Sequence, residues 1–432
     1  MDKGLLFTYV MTYGGAVVSL FNPYAGLLIY ICFAIIRPES LWFWSVPSGN
    51  YSRIIAIALL IGWGLKGFGR WQFGRGKAVV GFLLAFMAWV TLSGLRAAHP
   101  DVSLDWAEQL AKTVLPFVVG MTIIDSVRQL KQLAWVIVLS HGYVAYDLNR
   151  AYYDGFNRIQ EIGFGGMDNN CAAITMVCCT GLALFLGLTA PRWWQKAIAL
   201  VATMLMAHCV MFAYSRGGML GLIITTVVAF FLIPKKPMHY AMFALIVLLG
   251  FRLAGAGVVA RFATTFADEK ERDGSAQSRV EMWGTCMQIM VKDPVFGIGP
   301  RHFPLTAQEY GYAPGKEAHT LWLQVGAETG FPGLFFLAAF YGVCVVRLWP
   351  MTRATYPAAD PWFRDVARMV IASLTGFAVS AQFVSLVGLE APYYVALLGA
   401  GALKLASVPA PAPVTVRLVP PLLPQLGSPA RA

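Results

Sequence analysis

Residues 212 to 222 read FAYSRGGMLGL, and the chain stays apolar on either side, from Ala197 to Tyr214 and from Met219 to Leu232. A guanidinium at bilayer depth costs roughly 2.5 kcal/mol or more, so a membrane sequence carries one at an interface, for anchoring, or in a protein-lined cavity, for use. Arg216 therefore asks two questions at once: whether the chain is a membrane protein, and what the charge does there.

Composition answers the first. Of the 432 residues, 58% are hydrophobic and 13% charged, with a mean hydropathy of +0.62, where soluble domains run near 25% charged. Windows of about 17 to 25 mainly apolar residues predict spans near 5–20, 24–37, 53–66, 78–95, 105–124, 132–148, 170–190, 197–214, 217–233, 239–257, 331–347, 369–388 and 391–407. The expected fold is all-α, a polytopic membrane protein of about 12–13 transmembrane helices with one long, partly helical extramembrane loop. It divides into a bundle over 1–257, a loop region over 258–330, further membrane helices over 331–408 and a Pro-rich tail over 409–432, for which composition predicts disorder.

The formal net charge of +11 does not point to nucleic acid, because Lys and Arg fall in short clusters between apolar runs: Lys66 to Lys77, Arg128 and Lys131, Arg192 and Lys196, Lys235 and Lys236, Arg347 to Arg368. Such clusters mark cytoplasmic loops. Parity then places 149–169, the Arg216 turn and 258–318 together on the outer side. Thirteen full spans put the N-terminus outside; twelve, with the first stretch peripheral, put it inside. The opening MDKGLLFTYVMTYGG lacks the basic start and small-residue cleavage site of a removable signal peptide. The seven cysteines are scattered without a CxxC pair, so neither a disulfide framework nor a zinc site is indicated, and no metal or other cofactor is expected.

Gly217 and Gly218 supply the backbone freedom for a tight reversal, which sets Arg216 near the outer surface, where it can snorkel or bind an anion. In the long outer segment, SRVEMWGTCMQIMVKDP carries helix signals: Ser278 with Glu281 as a capping box, Val280, Trp283, Met287 and Met290 on one face, and Asp293-Pro294 as a stop. Arg279 would then sit in the first turn, beside a positive helix end, a place that favours a partner anion. Farther on, GKEAHTLWLQVGAETGFPGL predicts a short helix from His319 to Thr329, a C-cap at Gly330 and a new helix from Pro332. This sets Glu328 near the surface. His319, at a helix N-terminus, is expected to be neutral, as a general base requires.

The stretches YSRGG, SRVEMWGTCMQIMVKDPVFGIGPRHF and AHTLWLQVGAETGFPGL, in that order over residues 165–350, resemble the O-antigen ligase and polymerase family of bacterial lipid-linked glycan transferases. YAGLLIYICFAIIRPESLWFW is similar to the N-terminal region of a subgroup of O-glycosylation ligases associated with exosortase-linked polysaccharide systems. The resemblance implies an inner-membrane enzyme with a periplasmic site. It implies inverting, metal-independent transfer of a glycan from undecaprenyl diphosphate to lipid A core, a protein hydroxyl or another glycan, amid membrane lipids. By motif, Arg216 and Arg279 would hold the diphosphate and His319 would take the acceptor proton. Thr320 departs from the family, which often has Asn there. Chemistry agrees with these roles, since fixed guanidiniums stabilise a diphosphate leaving group and a positioned base activates an alcohol by about 10²- to 10⁴-fold. Arg158, Asp168, Asn169 and Asn170 in the loop NRIQEIGFGGMDNN, with Arg301, His302 and Glu328, are candidate substrate contacts.

Other signals carry less. GFGRWQFGRGKA has no GxxxxGK[ST], and GFGG at 163–166 does not open a dinucleotide-binding helix after a strand. His208, inside an apolar run, reads as packed rather than ligating. A transporter, the rival class, would carry ionisable groups at the bilayer midplane, whereas acids here collect at span ends.

Overall fold

The computed structural model describes residues 2–233, 274–357, 360–385 and 388–407, with isolated positions between 237 and 248. Most of the expected span 239–257, the polar opening of the long loop before 274 and the tail 409–432 lie outside the described residues. The helices are α1 (Lys3–Phe21), α2 (Pro23–Ile36), α3 (Tyr51–Leu65), α4 (Lys77–Leu95), α5 (Pro100–Ile123), α6 (Val127–Tyr153), α7 (Asn169–Thr189), α8 (Trp193–Phe212) and α9 (Arg216–Leu232). After the undescribed stretch come α10 (Gly274–Lys292), α11 (Leu321–Leu348), α12 (Trp362–Ser380) and α13 (Glu390–Leu405). No strand occurs among the described residues, and seven described helices are long and apolar enough to cross a membrane. The fold is that of an all-α polytopic membrane protein. Every other expected span coincides with a helix, though α3 and α9 are apolar but shorter than the seven.

Local chemistry sets the helix starts. Asn22 caps α2 ahead of Pro23, and Ser126 with Gln129 forms a capping box on α6. One apolar core then runs through the bundle, joining residues of α2 and α4–α9 to those of α11–α13. The helices flanking the long loop thus pack as one body.

Hydrogen bonds between distant loops sort the helix ends into two faces of the bundle. At one end the backbone N–H of Arg75 donates to Ser407 Oγ (2.8 Å), Arg347 Nη1 donates to the carbonyl of Arg75 (2.8 Å), and Lys131 faces Asp360 at 4.0 Å. Buried Lys404 closes the C-terminus of α5 there, donating to the carbonyls of Met121 and Ile124, both 2.8 Å. At the opposite end Arg37 pairs with Glu390 (2.9 Å) and donates to the carbonyl of Gly165, while Ser103 Oγ donates to the carbonyl of Pro300 (2.8 Å). The described basic loops of Arg75, Lys131 and Arg347 therefore gather on one end, and the starts of α5, α7, α9, α11 and α13 gather on the other. α1 begins at that second end, where Asp2 accepts from Ser45 Oγ (3.0 Å), so the described N-terminus shares the end of the bundle that carries Arg216.

The break expected at Gly330 is present. α11 is interrupted there by a residue at φ 69°, and the N–H of Phe331 leaves the helix to donate to the carbonyl of Pro294 (2.8 Å). Only glycine fits, because a Cβ would collide with the backbone at Pro294 and Val295 as well as demand a left-handed conformation.

Candidate functional site

Three of the helix starts at this end are capped by side chains. Asp168 caps α7, accepting from Cys171 N (2.8 Å); Ser215 caps α9, accepting from Gly218 N (3.2 Å); Thr320 caps α11, accepting from Leu323 N (3.5 Å). Each brings a positive helix end to the same region. Ser215 Oγ also donates to Asn170 Oδ1 (2.8 Å), and Asn169 Nδ2 donates to the carbonyl of Ala213 (2.9 Å), which ties the Arg216 turn to the start of α7. These two asparagines therefore fix the scaffold beneath Arg216.

The turn itself differs from the sequence expectation. Its left-handed residue is Tyr214 (φ 53°), not a glycine, while Gly217 and Gly218 are helical. Their role is close approach: a Cβ at Gly217 would lie 2.8 Å from Phe383 Cβ, and one at Gly218 would lie 2.9 Å from Ala173 Cβ. Phe383 in turn packs against Trp283 of α10, ring centroids 6.1 Å apart. Since Trp283 lies one turn beyond Arg279, Phe383 bridges the segments bearing Arg216 and Arg279. The start of α11 joins the same place, where Trp322 Nε1 donates to the carbonyl of Ala378 at the end of α12 (3.0 Å).

His319 sits immediately before the Thr320 cap, in a left-handed conformation (φ 54°) and half-buried. Its imidazole is pushed down to about 4, first by burial, then by the charges of Arg279 and Lys316, with Asp168 acting in the opposite sense. The neutral state expected from sequence is therefore present, and burial rather than the helix end dominates it. Arg279, Lys316 and Asp168 thus lie within electrostatic reach of the ring. Arg216, Arg279 and His319, far apart in the chain, thus occupy one end of the bundle, each half-buried.

α10 is already helical at Gly274, the first described residue of this stretch, so Ser278 lies inside the helix, its capping box does not form, and Arg279 lies beyond the first turn. Its buried face is Met282, Cys286, Ile289 and Met290, whereas Val280 and Met287 are exposed. The helix packs on the 297–303 turn and α11 through this face.

Several other candidates are occupied by structure. Arg158, 4% exposed, donates to the carbonyls of Ser40 and Leu41, faces Asp147 at 3.5 Å and lies over the Phe43 ring; it staples two loops. His302, 2% exposed, accepts from the N–H of His99 through Nε2 (3.0 Å), which leaves Nδ1 to donate to the carbonyl of Pro300 (3.0 Å). Glu328 is 4% exposed rather than near the surface. Its carboxylate accepts from the N–H groups of Arg301 (2.9 Å) and Phe303 (3.2 Å) and from Gln324 Nε2 (3.0 Å), because the turn at Gly297–Arg301 folds directly over it. Arg301 is half out in solvent, its guanidinium on Glu317 (2.6 Å). His208 Nδ1 donates to Asn149 Oδ1 at 2.5 Å, a packed role in keeping with the sequence.

Residues 201–338 match the family model of O-antigen ligase. This part of the chain is similar to the O-antigen ligases. It spans Arg216, Arg279 and His319 together with Arg301, His302 and Glu328, and it stops short of Phe383 and of the α7 cap. Residues 3–147 match a family of unknown function. No curated protein matches the chain. The match points, in general terms, to a membrane glycan-transferring enzyme of O-antigen ligase or polymerase type. Phe383, Lys316 and Gln324 were not singled out by sequence, and Trp283 was read only as part of a helix face, although its i+4 spacing from Arg279 was an available signal.

Proposed function

We propose that the chain transfers a glycan from undecaprenyl diphosphate to an acceptor hydroxyl, on lipid A core or on protein, at the periplasmic face of the bacterial inner membrane. The observation that carries this reading is that Arg216, Arg279 and His319, each half-buried, lie on segments tied together at one end of the bundle through Phe383, Trp283 and the hydrogen bond from Trp322 to Ala378. The gathering of basic loops at the far end supports the orientation.

In the proposed reaction the acceptor oxygen attacks the anomeric carbon from the face opposite the diphosphate, which inverts the configuration. The O–H proton passes to the imidazole of His319. The bond from the anomeric carbon to the phosphate oxygen breaks, its electron pair staying with the diphosphate, which gains one negative charge. Arg216 and Arg279 stabilise that charge as it develops, and planar guanidiniums match phosphate oxygens in pairs.

The test is incubation of the purified protein with undecaprenyl-diphosphate glycan and candidate acceptors. Glycan on the acceptor with release of undecaprenyl diphosphate is the expected result. Growth of polyprenyl-linked chains with no other acceptor present would instead make the chain a polymerase. Failure to consume the donor under any acceptor would end the enzymatic reading.

A further inference from the structure

Gln324 stands one turn into α11, 4% exposed, with its amide fully engaged. Its Oε1 accepts from the backbone N–H of Ala318 (3.0 Å), and its Nε2 donates to Glu317 Oε2 (2.7 Å) and to Glu328 Oε1 (3.0 Å). Glu317 and Glu328 are also joined by Arg301, whose guanidinium reaches Glu317 (2.6 Å) and whose N–H reaches Glu328 (2.9 Å). The result is a closed polar ring with Gln324 as its crossbar, and it grips the two residues that precede His319. Thr320 fixes the residue that follows.

A histidine in the left-handed region is strained, and such a conformation persists only where the surroundings over-determine it. The ring and the cap are that over-determination. We propose that Gln324 is a positioning residue: through Ala318 and Glu317 it holds the backbone of His319 in its left-handed turn and so aims the imidazole at the place shared with Arg279. Gln324 makes no contact with the imidazole itself. This inference rests on the reading of His319 as the base, yet it can be tested apart from it.

In the full-length purified protein, Gln324→Met keeps the length of the side chain and removes each of its hydrogen bonds. A displacement of about 1 Å at a reacting group can cost on the order of 10²-fold in rate. The expected result is a fall in kcat of about 10- to 100-fold, with donor KM within about twofold, since Arg216 and Arg279 remain in place. Site-resolved modification of histidines by diethyl pyrocarbonate supplies a readout independent of turnover. His319 should become more reactive in Gln324→Met as it leaves its half-buried position, while His302, on the far side of the turn, stays protected. Gln324→Glu keeps the acceptor for Ala318 but sets a third carboxylate against Glu317 and Glu328. Its kcat should recover as pH is lowered and the new carboxyl regains a proton to donate, a trend opposite to that of the wild type. This variant carries the test if Gln324→Met does not fold. Wild-type kcat and wild-type His319 modification in Gln324→Met, or a wild-type pH profile in Gln324→Glu, would overturn the proposal. If the wild-type protein turned over no donor, the functional reading would fall, and the modification pattern alone would decide on Gln324.

Discussion

Gly217→Ala tests how closely the Arg216 and Arg279 segments are geared together. The new Cβ would lie 2.8 Å from Phe383 Cβ and 3.1 Å from its Cγ and Cδ2. Carbon atoms rest at about 3.5–4.0 Å, so the pair must separate by about 1 Å. The colliding atom is at the root of the phenyl side chain, so a rotamer change cannot relieve it, and the ring's other neighbour is Trp283. Overpacking of this kind costs about 1–3 kcal/mol, while alanine gains back about 1 kcal/mol over glycine inside a helix. Stability should therefore fall by only about 0–2 kcal/mol. Activity should fall much further, about 10²-fold for a 1 Å change between groups that must grip one diphosphate. Gly81→Ala is the control, because a Cβ there meets nothing within 4 Å in α4, far from the site; it should leave kcat unchanged. The assay is transfer rate from undecaprenyl-diphosphate glycan beside thermal unfolding of the same detergent-purified samples. A Gly217→Ala protein with lowered thermal stability and wild-type kcat would refute the gearing through Phe383.

The remaining predictions concern the charges. His319→Ala should abolish transfer without loss of folding, and retained wild-type turnover would remove the imidazole from the mechanism. Because a base must be unprotonated, activity is lost as pH falls through its folded-state value: the acid limb of kcat/KM should lie near 4 in the donor-free protein, and that of kcat should lie higher, since a bound dianion opposes Arg279 and Lys316. Coincident limbs in the two profiles would count against a diphosphate beside His319. Arg279→Lys keeps the charge but loses the fork, so donor affinity should drop by about tenfold, near 1.4 kcal/mol, while the kcat/KM limb stays in place. Arg158→Leu takes from Asp147 the nearer of its two cations, leaving Arg150, and frees the carbonyls of Ser40 and Leu41, and it should cost roughly 3 kcal/mol of stability with donor KM unchanged in the folded fraction. A selective rise in KM would make Arg158 a substrate contact after all.

The helices were legible because a bilayer imposes length and apolarity on each span, and Gly330-Pro332 punctuates α11 as its residues demand. What misled was chemistry that depends on a distant neighbour. Two adjacent glycines read as a flexible turn, yet they are helical because Phe383 and Ala173 press on them from helices remote in sequence. Ser278 and Glu281 have capping-box spacing, but the helix had already begun by Gly274. Glu328 reads as an interfacial acid until the turn at Gly297–Arg301 folds over it and satisfies it with N–H donors. His302 reads as a candidate substrate contact, whereas its Nε2 is taken by the N–H of His99 from the start of α5. Local patterns set the elements; the pairings between elements decided which polar groups remained open.

The electrostatics of this end bear on the order of events. Capped starts of α7, α9 and α11 each carry roughly half a positive charge, and Arg216, Arg279 and Lys316 add full ones against Asp168. Without a donor, that balance and burial together make His319 too weak a base to take a proton from an alcohol efficiently near neutral pH. A bound diphosphate reverses the sign of the field at the imidazole and raises its basicity at the moment the sugar is in place. On this reading the donor completes the base, so acceptor alcohols and water reaching an empty site meet an inert histidine. The burst of released diphosphate on mixing should then depend on donor occupancy before acceptor concentration, and an enzyme that binds acceptor productively first would not carry this arrangement of charge.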